Sequence, residues 1–439
     1  MTIQFKKINP LPVKKVRLEN GITVWAIYYD RVPTISLNMI FKIGSFADPD
    51  GKAGTSDLCS EILTLGTEKM NSEEIAEMID GLGASLSASS SWDFTQFHIT
   101  GLAEDYSSFI HLLKDMVFTP TFDNNELSLL KERRTLKLMQ NKDKPEVIAD
   151  ESFLKMLYKN NPYGNMPYGS YDSIPLISRK DVIDFHAKYY NPENTSFIVV
   201  GHISPDDVID TIYKLFGDWK KSSEFSLPEF KIEEKGNHFY VIDRSDLTQS
   251  QIRLGHIGIV RNNPDYFPII LDNYILGGGG FSSRLMERIR AQKGYTYGIT
   301  SSFSARRFPG PFTISTFTAT QTTTEVIKEI LYVLEDFKHN GPKQKEVFDA
   351  ISFFTGSFPL KFETPSSIAR QYIEIEVYGL SDDYIETYQE NFSQIKKEDL
   401  NRVSNQYLFP QKMIGVIVGN KDEFLAELKS LGDVEEMGV

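Results

Sequence analysis

Two stretches decide the fold: Ile177–Gly201, ISRKDVIDFHAKYYNPENTSFIVVG, and Ile395–Gly419, IKKEDLNRVSNQYLFPQKMIGVIVG. Asp181 aligns with Asp399, Tyr189 with Tyr407, Pro192 with Pro410 and Gly201 with Gly419, always at an offset of 218. Each stretch reads as a helix, a Pro-marked turn and an apolar strand ending in glycine, with another helix after it. Upstream, Leu65-Gly66 aligns with Leu276-Gly277 at an offset of 211, and the difference of 7 is an ordinary loop insertion. A repeat of about half the chain predicts duplicated domains, here 1–222 and 237–439. The polar, Pro-bearing segment Ser223–Gly236, SEFSLPEFKIEEKG, reads as the linker between them.

Outward from the repeat, Gly21–Tyr29 and Thr34–Ile43 read as strands, and a helix is expected from about Ser56 to Leu65. A second helix spans Ser72–Leu82, with Asn71 as its N-cap and Glu74 completing a capping box. Ser85–Gly101 alternates like paired strands. Helices follow at Asp105–Met116, Asn124–Asn141 and Val147–Tyr158, then a loop, NPYGNMPYGSYDSI. Strands come in adjacent runs without strict alternation with helices. That predicts an α+β fold of two homologous domains, each a largely antiparallel sheet with helices on one face. Two such halves joined by a linker would form an open clamshell.

The stretch Leu276–Phe303, LGGGGFSSRLMERIRAQKGYTYGITSSF, carries the chemistry. Gly277–Gly280 reads as a turn that lets backbone approach closely, since no Gly-Lys-Ser/Thr follows to make a phosphate loop. A short helix is expected next, with Phe281, Leu285, Met286 and Ile289 on its apolar stripe. Gly294 stands where a left-handed cap would end that helix, and a strand is expected at Tyr295–Ser302. The tight junction puts Arg290 within reach of Tyr297, and a cation beside a phenol can hold a developing oxyanion. The helix dipole alone also favours an arginine in a last turn, and tyrosine is common in strands.

A net charge of −13 argues against a nucleic-acid binder and leaves no polybasic membrane patch. No apolar run is long enough for a membrane span, and the amino-terminal stretch lacks the apolar core of a signal peptide. A cytoplasmic location is the default; an exported protein whose leader had been removed would look the same. The single cysteine, Cys59, excludes an intramolecular disulfide and reads as a small buried hydrophobe. No two of the seven histidines are three or four residues apart, so a helix-borne zinc site is not expected. No Gly-x-Ser-x-Gly elbow and no kinase signature occurs. Asp57 and Glu61, four apart on one helix face, read either as a solvated pair or as a weak site for a hard cation.

With these features together, the chain resembles the insulinase/pitrilysin clan of inverted zinc peptidases, and within it the processing-peptidase branch. The resemblance rests on GSFADPDGKAG, LGTEKMNSEEIAEMIDGLGASLSASSS, NPYGNMPYGSYDSI and SSRLMERIRAQKGYTYGI, and covers nearly the whole chain. It implies two homologous α+β domains that form half of a chamber. Active members carry His-x-x-Glu-His on the first helix, whose histidines bind zinc with a later glutamate. Here that slot reads Asp57-Leu58-Cys59-Ser60-Glu61: Asp57 and Glu61 stand at the histidine positions and Ser60 at the base. The later glutamate would fall near Leu136–Leu138, and no acidic residue lies between Glu132 and Asp143. The resemblance therefore implies no metal or other cofactor in this chain.

Arg290 and Tyr297 match, in spacing and context, a pair that in the family holds substrate backbone and stabilises the tetrahedral intermediate. The implied function is that of the non-zinc subunit of a heterodimeric peptidase. Its partner would be a zinc-motif-bearing homologous subunit supplying zinc and base, and its substrate an unfolded peptide. The alternative is a non-enzymatic structural or peptide-binding member of the same family. A third reading, hydrolysis by this chain alone through Asp57 and Glu61, needs a bound metal.

Overall fold

The computed structural model describes residues 11–220, 230 and 237–438. The expected linker, Ser223–Gly236, lies outside the described residues apart from Phe230, as do residues 1–10 of the amino-terminal stretch. The first half holds strands β1 (Val13–Arg17), β2 (Thr23–Tyr28), β3 (Thr34–Phe41), β4 (Ser85–Ser90), β5 (Thr95–Leu102) and β6 (Thr195–Gly201). Its helices are α1 (Thr55–Ile62), α2 (Ser72–Gly81), α3 (Tyr106–Phe118), α4 (Asn124–Asn141), α5 (Pro145–Tyr158), α6 (Arg179–Tyr189) and α7 (Pro205–Phe216). The second half holds β7 (His238–Asp243), β8 (Gln249–Ile257), β9 (Ile299–Phe303), β10 (Pro311–Ala319), β11 (Ile414–Gly419) and β12 (Asp433–Met437). Its helices are α8 (Tyr266–Asn273), α9 (Thr323–Asn340), α10 (Gln344–Ser357), α11 (Pro365–Tyr378), α12 (Tyr384–Ser393), α13 (Lys397–Tyr407) and α14 (Leu425–Leu428).

The sequence repeat is a repeat of structure. Helix α6 begins at 179 and α13 at 397, and they end at 189 and 407, the same shift of 218. Helices α1 and α8 are related by 211, and α5 and α11 by 220, at both ends. Local chemistry sets the shared boundaries. Ser178 and Asp181 cap α6 reciprocally, and Asp399 accepts the Lys396 N–H at the start of α13 (2.9 Å). The Asn71–Glu74 capping box expected for α2 is present.

The two sheets run β1-β2-β6-β3-β5-β4 and β12-β7-β11-β8-β10-β9. Pairing is antiparallel except at β2/β6, β7/β11 and β7/β12. Five strands correspond one to one; the outer edge does not, since β1 runs antiparallel to β2 and β12 parallel to β7. This is the expected α+β architecture, with one addition. The central strands of each sheet send apolar side chains to both faces, and the second face is covered by a helix from the other half.

Along β2, Val24 and Ala26 enter the core built by the first half's own helices. Trp25 and Ile27 point the other way and pack in a core with α11 residues Ile368, Tyr372 and Ile375. Reciprocally, Phe153 and Leu157 of α5 pack against Tyr240 and Ile242 of β7 and Val416 of β11. Glu376 of α11 accepts from Trp25 Nε1 (2.9 Å), Lys42 Nζ (3.0 Å) and Ser196 Oγ (2.7 Å) on the first sheet. On the other side Arg253 of β8 pairs with Asp150 of α5. Arg307, between β9 and β10, donates to Lys42 O (2.9 Å) and to Asp93 through its backbone N–H (3.0 Å). Sequence periodicity showed the strands but not this exchange, because α5 and α11 look like any amphipathic helix.

Glu376→Ala removes the acceptor of three partly or wholly buried donors and is expected to destabilise the chain by about 3 kcal/mol in urea unfolding. A loss under about 1 kcal/mol would mean apolar packing alone seats α11. A second prediction concerns pH. His186 of α6 is half-buried against Tyr190 and Phe122 and donates from Nε2 to Val117 O (3.0 Å). Burial holds its pKa down at about 4, against a partial upward push from that backbone bond. An unfolded histidine protonates near pH 6.5, so between roughly 6.5 and 4 the unfolded chain binds more protons. Stability is therefore expected to fall as pH falls through this window, and His186→Gln to flatten that part of a Tm-against-pH curve.

Candidate functional site

Helix α1 carries Asp57, Ser60 and Glu61, the residues the resemblance sets in the zinc slot. Asp48 fixes its start by accepting the Gly54 (2.7 Å) and Ser56 (2.8 Å) N–H groups, and Gly54 holds a φ of 99° that favours glycine. Asp57 is buried: its Oδ1 accepts Ser90 N–H of β4 (2.9 Å) and its Oδ2 accepts Arg134 Nη1 (2.6 Å). The other arm of the same guanidinium, Nη2, is hydrogen-bonded to Glu61. Arg134 Nη1 also donates to Tyr168 O (3.2 Å). Burial raises the pKa of Glu61, and Arg134 opposes the rise. Ser60 donates its hydroxyl back to Asp57 O (2.8 Å) and is fully buried, so it does not face the cavity of about 420 Å³ around this cluster.

Asp57 and Glu61 are thus neither a solvated pair nor a free cation site. They form the two ends of an Arg134 bridge between α1 and α4. A zinc ion needs three or four ligands with open lone pairs. Here both carboxylates are held by a fixed cation, and no group of three metal-ligating side chains occurs among the described residues. The residues present do not fit zinc. Sequence reasoning missed Arg134 by looking for a lost glutamate in α4 rather than for a gained cation. The signal was there: acid replaces histidine in α1 while Arg133, Arg134 and Lys137 cluster in the facing helix.

In the second half the glycine run behaves as expected. A Cβ on Gly277 would lie 2.4 Å from Ser301 Oγ of β9, and Gly280 adopts a φ of 60°. Asn273 and Ser301 lock α8 to β9 with two hydrogen bonds (3.0 and 2.7 Å). The backbone is widened to π-helical turns at Tyr274–Gly278 and Met286–Gln292, with Gly279 N–H bonded to Tyr274 O (2.7 Å). Such widened turns recur at functional sites. Leu285, Met286 and Ile289 are buried as expected, but Phe281 is 76% exposed. It precedes the helix, in a tight turn closed by Ser283, so it is off the apolar stripe.

Gly294 caps the helix at a φ of 69°, bonded to Arg290 O (3.0 Å). The strand expected at Tyr295–Ser302 is ordered as Ile299–Phe303 instead. Thr316 and Thr318 of β10 place hydroxyls on Gly298 O (2.9 Å) and Tyr295 O (2.7 Å), and Thr296 turns back on Gly298 N–H (3.1 Å). Side chains thus take the bonds a ladder would use. Tyr297 therefore lies on the turn before the strand, 78% exposed, and its hydroxyl has no partner among the described residues. Arg290 is half-buried, stacks over the Phe281 ring (4.5 Å to centroid) and makes no ion pair among the described residues. The pair is held by no mutual hydrogen bond.

Comparison with known proteins falls on both halves. The description "Insulinase (Peptidase family M16)" matches residues 24–169, and "Peptidase M16 inactive domain" matches residues 176–352. The chain belongs to the M16 insulinase family. A Bacillus subtilis relative, "Uncharacterized zinc protease YmxG", is 25% identical over 81% of this chain and 86% of its own. A Helicobacter pylori relative, "Non-peptidase homolog YmxG", is 23% identical over 95% and 94%. Among solved structures, a peptidase M16 inactive domain from Pseudomonas fluorescens superposes with a TM-score of 0.87 at 28% identity, covering 93% of this chain and 98% of that one. Within this M16 chain, no helix among the described residues is long and apolar enough to cross a membrane.

Arg134→Ala leaves the buried Asp57 carboxylate without its cation. It is expected to cost about 3 kcal/mol of stability, read by thermal unfolding. Retained stability would show that water replaces the guanidinium at no penalty.

Proposed function

We propose that this chain is the zinc-free subunit of a heterodimeric M16 peptidase. The observation that carries the reading is an asymmetry between its two sites. The slot where active members hold zinc is closed by Arg134, whereas Tyr297 is exposed and the half-buried Arg290 makes no ion pair with any described residue. A zinc-motif-bearing homologous subunit supplies metal and general base. Arg290 and Tyr297 grip the substrate backbone and stabilise the tetrahedral oxyanion, while this chain forms half of the chamber wall. Peptide substrates add as a strand to β4, an edge strand of the first sheet among the described residues.

The alternative of a non-enzymatic peptide-binding member is favoured by one observation, the non-peptidase name of the Helicobacter pylori relative. Hydrolysis of a quenched fluorescent peptide library by this chain, the zinc-motif partner and their mixture separates the two. Activity confined to the mixture is expected. Tyr297→Phe should keep the partner bound and lower turnover about 100-fold, comparable to a lost oxyanion donor, and Arg290→Ala should abolish it. Full activity of the partner alone, or unchanged turnover in Tyr297→Phe, would leave only the binding role.

A further inference from the structure

The outer face of the first sheet, beneath α11, holds a cavity of about 410 Å³ that the peptidase reading does not use. Its floor is a polar triad on β3 and β5. Asn38, fully buried, donates from Nδ2 to Ile198 O (3.0 Å) and Ser36 Oγ (3.1 Å), which orients its amide. Its Oδ1 then accepts from Gln96 Nε2 (2.8 Å) and His98 Nδ1 (2.7 Å). This leaves the second amide hydrogen of Gln96 and the Nε2 of His98 without a partner among the described residues, in a cavity they both line. Ser87 of the edge strand β4 forms one rim, and Ser366 and Arg370, one turn apart on α11, form the roof.

The charged groups that line this cavity are Arg370 and Glu374. Its lining carboxylate, Glu374, is bound by Arg261 at 2.9 and 3.2 Å. Arg370 makes no hydrogen bond or ion pair with any described residue and lies close enough to His98 to help lower its pKa, second to burial. Ser366 stands in the first turn of α11, where the helix dipole favours negative charge. A planar guanidinium with hydroxyl and amide donors around it matches a carboxylate. The cavity also lies directly beside the β4 edge, on the sheet face opposite Asp57 and Arg134, and Ser89 lines both cavities.

We propose that this cavity is a carboxylate subsite for a peptide strand added to β4, with Arg370 as its anion-binding residue. The assignment rests on the strand-addition reading above and names its substrate class: peptides bearing a carboxylate on the α11 side. The carboxylate belongs either to the peptide's C-terminus or to an Asp or Glu side chain, and the test separates the two.

The test measures fluorescence anisotropy of the full chain with three labelled short Val/Thr peptides. One ends in an amide, one in a free carboxylate, and one is amidated with a central Glu. At least one carboxylate peptide is expected to bind roughly tenfold or more tighter than the neutral one, as for a charged hydrogen bond. The tighter of the two identifies the source. Arg370→Gln, at an exposed position, should erase the preference while weak binding of the neutral peptide persists. Equal affinity for all three peptides, or a preference surviving in Arg370→Gln, overturns the subsite and leaves strand addition standing. Absence of binding by every peptide overturns both. None of these outcomes depends on turnover, so loss of the subsite is distinguishable from loss of the split-peptidase reading.

Discussion

The structure depends on the fact that neither sheet can bury both of its faces with its own half's helices. Strands β2, β6, β7 and β11 each carry a continuous buried apolar run, as strands covered on both sides do. The chain meets this by exchanging one helix each way, α11 onto the first sheet and α5 onto the second. Glu376 and the Arg253–Asp150 pair then set register polar group by polar group where apolar contact alone would let the helices slide. Both candidate sites inherit their placement from this exchange. The cavity above β4 is roofed by α11, and the loop carrying Arg307 ties the Arg290/Tyr297 half to the first sheet.

Within that frame the slot on α1 holds a buried charge cluster built from this chain's own side chains. A zinc site is a dication ringed by donors between two helices. Here two carboxylates on α1 face one guanidinium on α4, and Ser90 N–H takes the remaining oxygen of Asp57. The bridge between the helices is thus an ion cluster of the opposite arrangement, anions on α1 around a cation from α4. Arg134 has its arms occupied and cannot polarise a substrate carbonyl, so the slot acts as a strut. Arg290 is the opposite case, a cation stacked on an exposed ring with no counter-charge among the described residues. The helix dipole and the Phe281 ring hold this cation in place without neutralising it.

Much of this was legible in residue order. The 218-residue shift between Ile177–Gly201 and Ile395–Gly419 located matching helices and strands, because capping residues, prolines and apolar runs act over a few neighbours. The Asn71–Glu74 cap is likewise local. Three things were not legible. Phe281 sat on an apolar stripe by spacing, yet Ser283 starts the helix after it. Tyr297 looked like strand, but hydroxyls of Thr316 and Thr318, distant in sequence, claim the carbonyls before it. Arg134 was visible only as one of several basic residues in α4.

The sequence by itself determined the duplicated α+β plan, the presence of Asp57, Ser60 and Glu61 on α1, and the seven-residue spacing of Arg290 and Tyr297. Those are statements about which residues are present and how they are spaced. Only the tertiary structure decided that Asp57 and Glu61 share one guanidinium, that α5 and α11 trade places, and that Arg370 overhangs a polar floor beside β4. Each of these joins groups separated by tens to hundreds of residues, and such pairings follow from how sheets and helices close over each other rather than from any local pattern.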